Sequence, residues 1–170
     1  NGTPVGTLAV TGPFSAASFT LAPAAGGTGV TAACFASGTR IETDRGWVAV
    51  EALQVGDRVR SVLRQAFRPV VWLGHRKVAC ARHRRPASVW PIRIVAHAFG
   101  RDMPRRPLLL SPDHAIYLED VLIPIGLLAN GTTVRQVAVP EVTYWHVQLD
   151  SHDVLLAEGL PAESYLDVSN

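Results

Sequence analysis

The chain has 170 residues, of which 48% are hydrophobic and 18% are charged, and its formal net charge is +2. This length fits one domain of about 100–150 residues with an appendage, and the composition excludes a disordered chain. No apolar run approaches the ~20 residues of a membrane-spanning helix, so no membrane partner is expected. Basic residues cluster at 76–85 and 101–106 beside prolines, which predicts solvated loops rather than a nucleic-acid surface.

Residues 1–33 differ in composition from the rest of the chain. They contain no Lys, Arg, Asp or Glu and are rich in Gly, Ala, Ser, Thr and Pro. Two stretches, residues 5–10 and 17–21, alternate weakly as short strands do, and residues 26–29 are predicted to be a flexible connection. We therefore predict two parts: residues 1–33, which form the tail of an upstream protein segment, and residues 34–170, which form a separate domain.

Short strand-like runs alternate with turn residues from position 34 onward, which predicts an all-β domain. The predicted strands lie at residues 39–43, 47–50, 58–63, 70–73, 91–96, 108–110, 115–118, 121–125, 134–139, 143–149 and 154–157. Only brief helical turns are expected, at residues 50–53, 111–114 and 125–129. The two cysteines, Cys34 and Cys80, could form one bridge but not a disulfide framework, and Cys80 is predicted to be a small buried hydrophobic residue.

Cys34 is the candidate nucleophile because it lies at the boundary between the two parts. Its thiol could attack the carbonyl of the preceding residue, Ala33, and convert the amide into a thioester. Such an attack needs a base or a lowered thiol pKa, a proton for the departing nitrogen, and a donor for the oxyanion. Ser111 and His114 lie in a polar turn between two apolar runs, so they offer a hydroxyl and an imidazole for these tasks.

Three blocks of the sequence resemble the Hint domain, the self-processing module shared by Hedgehog proteins and inteins. The first block is residues 34–39 with 56–59, the second is residues 111–114, and the third is residues 143–160. They occur in the family's order, and the bacterial intein-like members found at the end of secreted or repeat-rich precursors are the most similar. The resemblance implies an all-β, horseshoe-like fold with two halves related by a pseudo-two-fold axis.

By this resemblance the domain is a single-turnover autoprotease that cleaves the Ala33–Cys34 bond through an N-to-S acyl shift. The upstream segment is the implied substrate, and water, a thiol or an amine is the acceptor. Cys34 is the implied nucleophile, His114 donates a proton to its amide nitrogen, and Ser111 polarises the scissile carbonyl or orients His114. His146 is the implied base or proton shuttle. The secondary candidates are His152, Asp113 and Asn170.

Two alternatives remain open, protein splicing and a Hint-like domain without activity, whereas the sequence argues against a third, sterol transfer. Protein splicing would use Asn170, but Ser169 precedes it and no following nucleophile is visible. Sterol transfer of the Hedgehog type would need an aspartate near residue 74 or 75, where the sequence has none. A Hint-like domain that no longer cleaves would serve as a structural or binding module.

No cofactor is required for the acyl shift. A thiolate and two imidazoles are, however, ligands that suit Zn²⁺. If Cys34, His114 and His146 converge, we expect adventitious zinc to inhibit the reaction rather than to catalyse it.

Overall fold

The computed structural model describes residues 33–166, and β-strands dominate this part of the chain. Its strands are β1 Phe35–Ala36, β2 Arg40–Thr43, β3 Gly46–Ala49, β4 Arg58–Ser61, β5 Ala66–Val78, β6 Ile92–Ile94, β7 Leu108–Leu110, β8 Ala115–Leu118, β9 Val121–Pro124, β10 Val134–Gln136, β11 Val142–Leu149, β12 Val154–Ala157 and β13 Leu160–Glu163. Short 3-10 turns occur at Val50–Ala52, Cys80–Arg82, Pro86–Ser88 and Ile125–Leu128. Within residues 33–166 no helix has the length and apolarity needed to cross a membrane. The prediction of an all-β domain is confirmed.

Strand β5 is the longest element and joins two sheets. Its beginning, from Ala66 to Pro69, pairs with β4, and its remainder, from Val70 to Val78, pairs with β11. On one side of β5 the strand order is β11-β1-β7-β6-β10, and on the other it is β4-β2-β12-β13-β8-β9, with β3 attached to β2. The pairings are antiparallel, and β5 therefore connects the two halves of the fold.

Three details of the sequence prediction were wrong or incomplete. Arg76 and Lys77 were expected in a loop but lie in β5, where they are exposed. Only residues 70–73 of this strand were predicted, because six of its 13 residues are exposed and only two are buried, which gives no apolar alternation. Strands β1 and β13 were missed, since β1 has two residues and β13 contains Pro161, which argues against an interior strand.

The main hydrophobic core is built from both halves of the fold. Its largest fully buried side chains are Phe35, Ile41, Ile94, Leu108, Leu110, Ile116, Ile125, Leu149, Leu155 and Leu160. A second, smaller cluster contains Cys34, Val78, Cys80 and Tyr144. Both cysteines are buried and form no disulfide with each other, which confirms the prediction for Cys80.

The short strand β1 holds Cys34 in place. Phe35 pairs with Trp145 of β11 on one side and with Leu110 of β7 on the other. When these two antiparallel registers are continued by one residue, Cys34 lies opposite His146 on one side and Ser111 on the other. Burial of the Phe35 ring, which is 0% exposed, fixes this position.

Candidate active site

Ser111 contacts the peptide groups on both sides of the Cys34 α-carbon. Its backbone N–H donates to the Cys34 carbonyl oxygen at 3.0 Å, and its hydroxyl oxygen accepts the Cys34 N–H at 3.3 Å. The second contact involves the nitrogen of the Ala33–Cys34 bond. The sequence predicts that Ser111 acts on the scissile carbonyl or on His114, and in the structure its hydroxyl also contacts the amide nitrogen.

His146 contacts the other side of the same peptide bond. Its Nδ1 lies 3.1 Å from the carbonyl oxygen of Ala33, and both of its ring nitrogens lie 3.6 Å from Sγ of Cys34. Because a carbonyl oxygen can only accept, the neutral ring must carry its hydrogen on Nδ1 for this bond to form. Its Nε2 then has a lone pair that can accept the proton of the Cys34 thiol.

The burial of Cys34 makes a separate base necessary. Desolvation raises the pKa of the thiol to about 11, although the hydrogen bond with Ser111 and the positive charge of Arg76 oppose this effect. The thiol is therefore protonated near neutral pH, and it cannot attack as a thiolate without losing its proton to a neighbour.

His146 is suited to accept that proton. Burial lowers the pKa of its imidazole, and the nearby charge of Arg76 lowers it further, while the contact with the Ala33 carbonyl opposes both. The ring is therefore neutral near neutral pH. It is half-buried, and the rings of Tyr165 and Trp72 lie beside it with centroids 4.9 Å and 6.3 Å away.

His114 is the most deeply buried titratable residue of the site. It is 0% exposed, and its ring makes an edge contact with Phe35 at a centroid distance of 4.5 Å. Its position follows from a turn in which its N–H donates to the Ser111 carbonyl at 3.1 Å. Neither ring nitrogen has a partner with good hydrogen-bond geometry in the part of the chain that the structure describes.

The protonation of His114 is set by opposing influences. Desolvation lowers the pKa of the imidazole, and the charge of His146 acts in the same direction. The negative charge of Glu163 and the backbone groups of Cys34 and Glu163 favour the protonated ring. These backbone groups act on the positive charge of a protonated His114 ring, although they do not reach good hydrogen-bond geometry with its nitrogens.

Glu163 is a residue of the site that was not predicted from the sequence. This residue ends β13, and one carboxylate oxygen accepts the backbone N–H of Ala115 at 2.9 Å. The other oxygen lies 3.5 Å from Nε2 of His152. An acidic residue at the end of an unpredicted strand gives no signal in the sequence, so only the pairing of β13 with β8 brings it to the site.

The secondary candidate residues differ in where they lie relative to the site. His152 contacts Glu163, and Asp113 is exposed in the turn that contains His114. Asn170 and residues 1–32 lie outside the described residues.

The predicted zinc site lacks a matching cluster, because residues 33–166 contain no group of three or more His, Cys, Asp or Glu side chains that could hold a metal ion. Inhibition by zinc stays a prediction.

Comparison with known proteins identifies the family. Residues 33–169 match the Hint domain family, and the chain therefore belongs to it. No match was found among curated proteins.

Solved structures share the fold at low sequence identity. The bacterial intein-like domain from Clostridium thermocellum has a TM-score of 0.56 and 17% identity over 77% of this chain and 97% of that one. A DnaB intein from Synechocystis sp. PCC 6803 has a TM-score of 0.56 and 8% identity over 79% and 99%. The MchDnaB-1 intein has a TM-score of 0.54 and 18% identity over 75% and 98%. The Hint fold expected from the sequence is thereby confirmed.

Proposed function

We propose that the chain cleaves its own Ala33–Cys34 peptide bond through an N-to-S acyl shift and so releases the upstream segment. The observation that carries this proposal is the position of His146, which contacts both the carbonyl oxygen of Ala33 and the thiol of Cys34. One imidazole can therefore remove the thiol proton and stabilise the oxyanion that the attack creates.

The first step forms the carbon–sulfur bond. The thiol proton of Cys34 moves to Nε2 of His146, and Sγ attacks the carbonyl carbon of Ala33. The carbonyl oxygen becomes an oxyanion, and the Nδ1–H of His146, now part of an imidazolium, donates to it. Hydrogen bonds aimed at a developing charge in a dry site are a large source of catalysis.

The second step breaks the carbon–nitrogen bond. The Cys34 nitrogen leaves as an amine and takes a proton, for which we propose His114 as the donor. Ser111 holds this nitrogen through its hydroxyl oxygen, so the amide remains oriented while the bond breaks. The product is a thioester between Ala33 and Cys34, with a new amino group on Cys34.

An acceptor completes the reaction. Water, a thiol or an amine attacks the thioester carbonyl and loses a proton, which replaces the one that His114 gave. The carbon–sulfur bond breaks, and the Cys34 sulfur recovers its proton from His146. With water the upstream segment is released with a free carboxylate. With an amine or a thiol it is transferred to that nucleophile.

Intact mass spectrometry of the purified chain tests the proposal. Incubation with dithiothreitol should give a fragment ending at Ala33 and a domain beginning at Cys34. Cys34→Ala should prevent cleavage, whereas Cys80→Ala removes the other buried thiol and should leave it unchanged. Absence of the fragment from the unmodified chain, or its appearance in Cys34→Ala, would overturn the proposal.

A further inference from the structure

Glu163 contacts His152 and accepts the N–H of the residue that follows His114, and these two histidines differ in exposure. His114 is fully buried, whereas the side chain of His152 is 31% exposed and that of Glu163 is 19% exposed. A carboxylate with so little exposure is costly to bury unless partners stabilise its charge. The partners that stabilise this carboxylate therefore indicate what its charge does.

The fold holds the carboxylate at a fixed point beside His114. Strand β13 pairs with β8 through Ala162 and Ile116, and the next pair along this antiparallel register is Glu163 and Ala115. One carboxylate oxygen of Glu163 accepts the N–H of Ala115, the residue directly after His114. The other oxygen faces His152.

The charge of Glu163 is retained in spite of its burial. Burial raises the pKa of the carboxyl group, but the contact with His152, the charge of His114 and the Ala115 N–H together lower it below its usual value. The group is therefore a carboxylate near neutral pH, and it can act on a neighbouring positive charge.

Among residues 33–166, two charged or titratable side chains act on the buried ring of His114. Glu163 of β13 favours its protonated form, and His146 of β11 opposes it when that ring is charged. The Phe35 ring of β1 contacts it without a charge, and Asp113 on its own turn is exposed. Glu163 is thus the described side chain whose charge opposes the desolvation of His114, although the pKa of the ring stays below its ordinary value.

We propose that Glu163 is a positioning residue that supports positive charge on His114, while His152 anchors the carboxylate from the solvent side. This role rests on the proposed self-cleavage, in which His114 gives a proton to the departing Cys34 nitrogen. A fully buried imidazole without a counter-charge would be largely neutral and a poor source of that proton.

Nuclear magnetic resonance titration tests the electrostatic part without requiring cleavage. In a Cys34→Ala background the full chain stays intact, and the pKa of His114 can be measured with and without Glu163→Gln. The glutamine retains an oxygen that can accept the Ala115 N–H. We expect the pKa of His114 to fall in Glu163→Gln, to remain nearer its original value in Glu163→Asp, and to be unchanged in Glu119→Gln, a matched change in an exposed turn.

Cleavage rates test the catalytic consequence. With Cys34 present, Glu163→Gln should slow cleavage at neutral pH by roughly tenfold, the effect of removing one charge partner from an ionised group. Because the acid must be protonated, the loss of rate on raising the pH should begin at lower pH in this variant. An unchanged pKa of His114 in folded Glu163→Gln would overturn the inference. If that pKa falls but the unmodified chain never cleaves, the proposed function fails while the effect of Glu163 on His114 stands.

Discussion

Nδ1 of His146 lies 3.1 Å from the carbonyl oxygen of Ala33, although 113 residues separate them in the sequence. The pairing of β1 with β11 produces this contact, because Phe35 lies opposite Trp145 and the neighbouring residues of each strand are brought together. A histidine in β11 thereby reaches the peptide bond that precedes the first strand. Its contribution to cleavage can be tested directly.

Replacing His146 by Gln should remove most of the cleavage activity. The glutamine amide can donate to the Ala33 carbonyl, but it cannot accept the thiol proton of Cys34 at neutral pH. Loss of a general base lowers rates by about 10²–10⁴-fold, and we expect a loss in this range. The measurement is the first-order rate of precursor loss by intact mass spectrometry.

His75→Gln is the matched control for this variant. His75 lies on the adjacent strand β5 and stacks on Trp145 with a centroid distance of 4.6 Å. The same chemical change is thus made one strand away from the scissile bond and should alter the rate little. An equal loss in both variants would indicate that His146 acts through sheet packing rather than as a base.

The pH dependence should differ between the unmodified chain and His146→Gln. Burial lowers the pKa of His146, so this base remains neutral at pH values below the pKa of an ordinary histidine. On acidification the rate should therefore fall only when the pH passes below the lowered pKa. In His146→Gln the residual reaction needs the thiolate of Cys34. Because the pKa of that thiol is about 11, the thiolate fraction grows with pH while the protonated fraction of His114 falls. These opposing changes should leave the rate of the variant nearly constant above the pKa of His114, where the unmodified chain loses rate as the pH rises. Rates across a pH series would distinguish these profiles, and identical profiles would contradict the assignment.

Asp153 should be important for stability rather than for chemistry. Its buried carboxylate accepts the Ser61 hydroxyl at 2.7 and 2.8 Å and the Val154 N–H at 2.7 Å, and Nε of Arg64 lies 3.3 Å away. Asp153→Ala leaves the buried Ser61 and Val154 donors without their acceptor, and each unsatisfied donor should reduce the free energy of unfolding by about 1–3 kcal/mol. Urea unfolding would measure it.

Asp150→Ala provides the comparison for an exposed ion pair. Asp150 pairs with Arg68 at the surface, so Asp150→Ala should reduce the free energy of unfolding by less than about 1 kcal/mol. A similar cost for both aspartates would show that the burial of Asp153 is not the source of its contribution.

Gly159 should tolerate alanine less well than another glycine of similar backbone conformation. Its φ is 90°, and a Cβ atom there would lie 2.5 Å from the carbonyl oxygen of Asp102. Gly131 has a φ of 76°, but a Cβ atom would meet nothing within 4 Å. Gly131→Ala should therefore lower the free energy of unfolding only by the strain of a left-handed alanine, about 1–2 kcal/mol. Gly159→Ala should lower it further, as thermal or urea unfolding would measure. Equal costs would mean that the loop of Asp102 moves aside.

Sequence reasoning predicted the all-β class and the turn of Ser111 and His114, because alternating apolar runs and polar turns are local signals. It did not predict which atom each side chain would contact. The contact of Ser111 with the amide nitrogen and that of His146 with the carbonyl depend on strand register across more than 70 residues. Glu163 was missed for the same reason, since its neighbours belong to β8 and to the loop that contains His152.

The short β1 strand also bears on how far the reaction can proceed. Its pairing with β7 and β11 does not involve the Ala33–Cys34 bond itself, so those strand contacts need not break when that bond does. We expect the newly formed amine of Cys34 to remain beside the thioester carbonyl instead of diffusing away. Return to the amide would then compete continually with the acceptor, and the yield of cleaved chain would be governed by how readily an external nucleophile intercepts a reversible equilibrium.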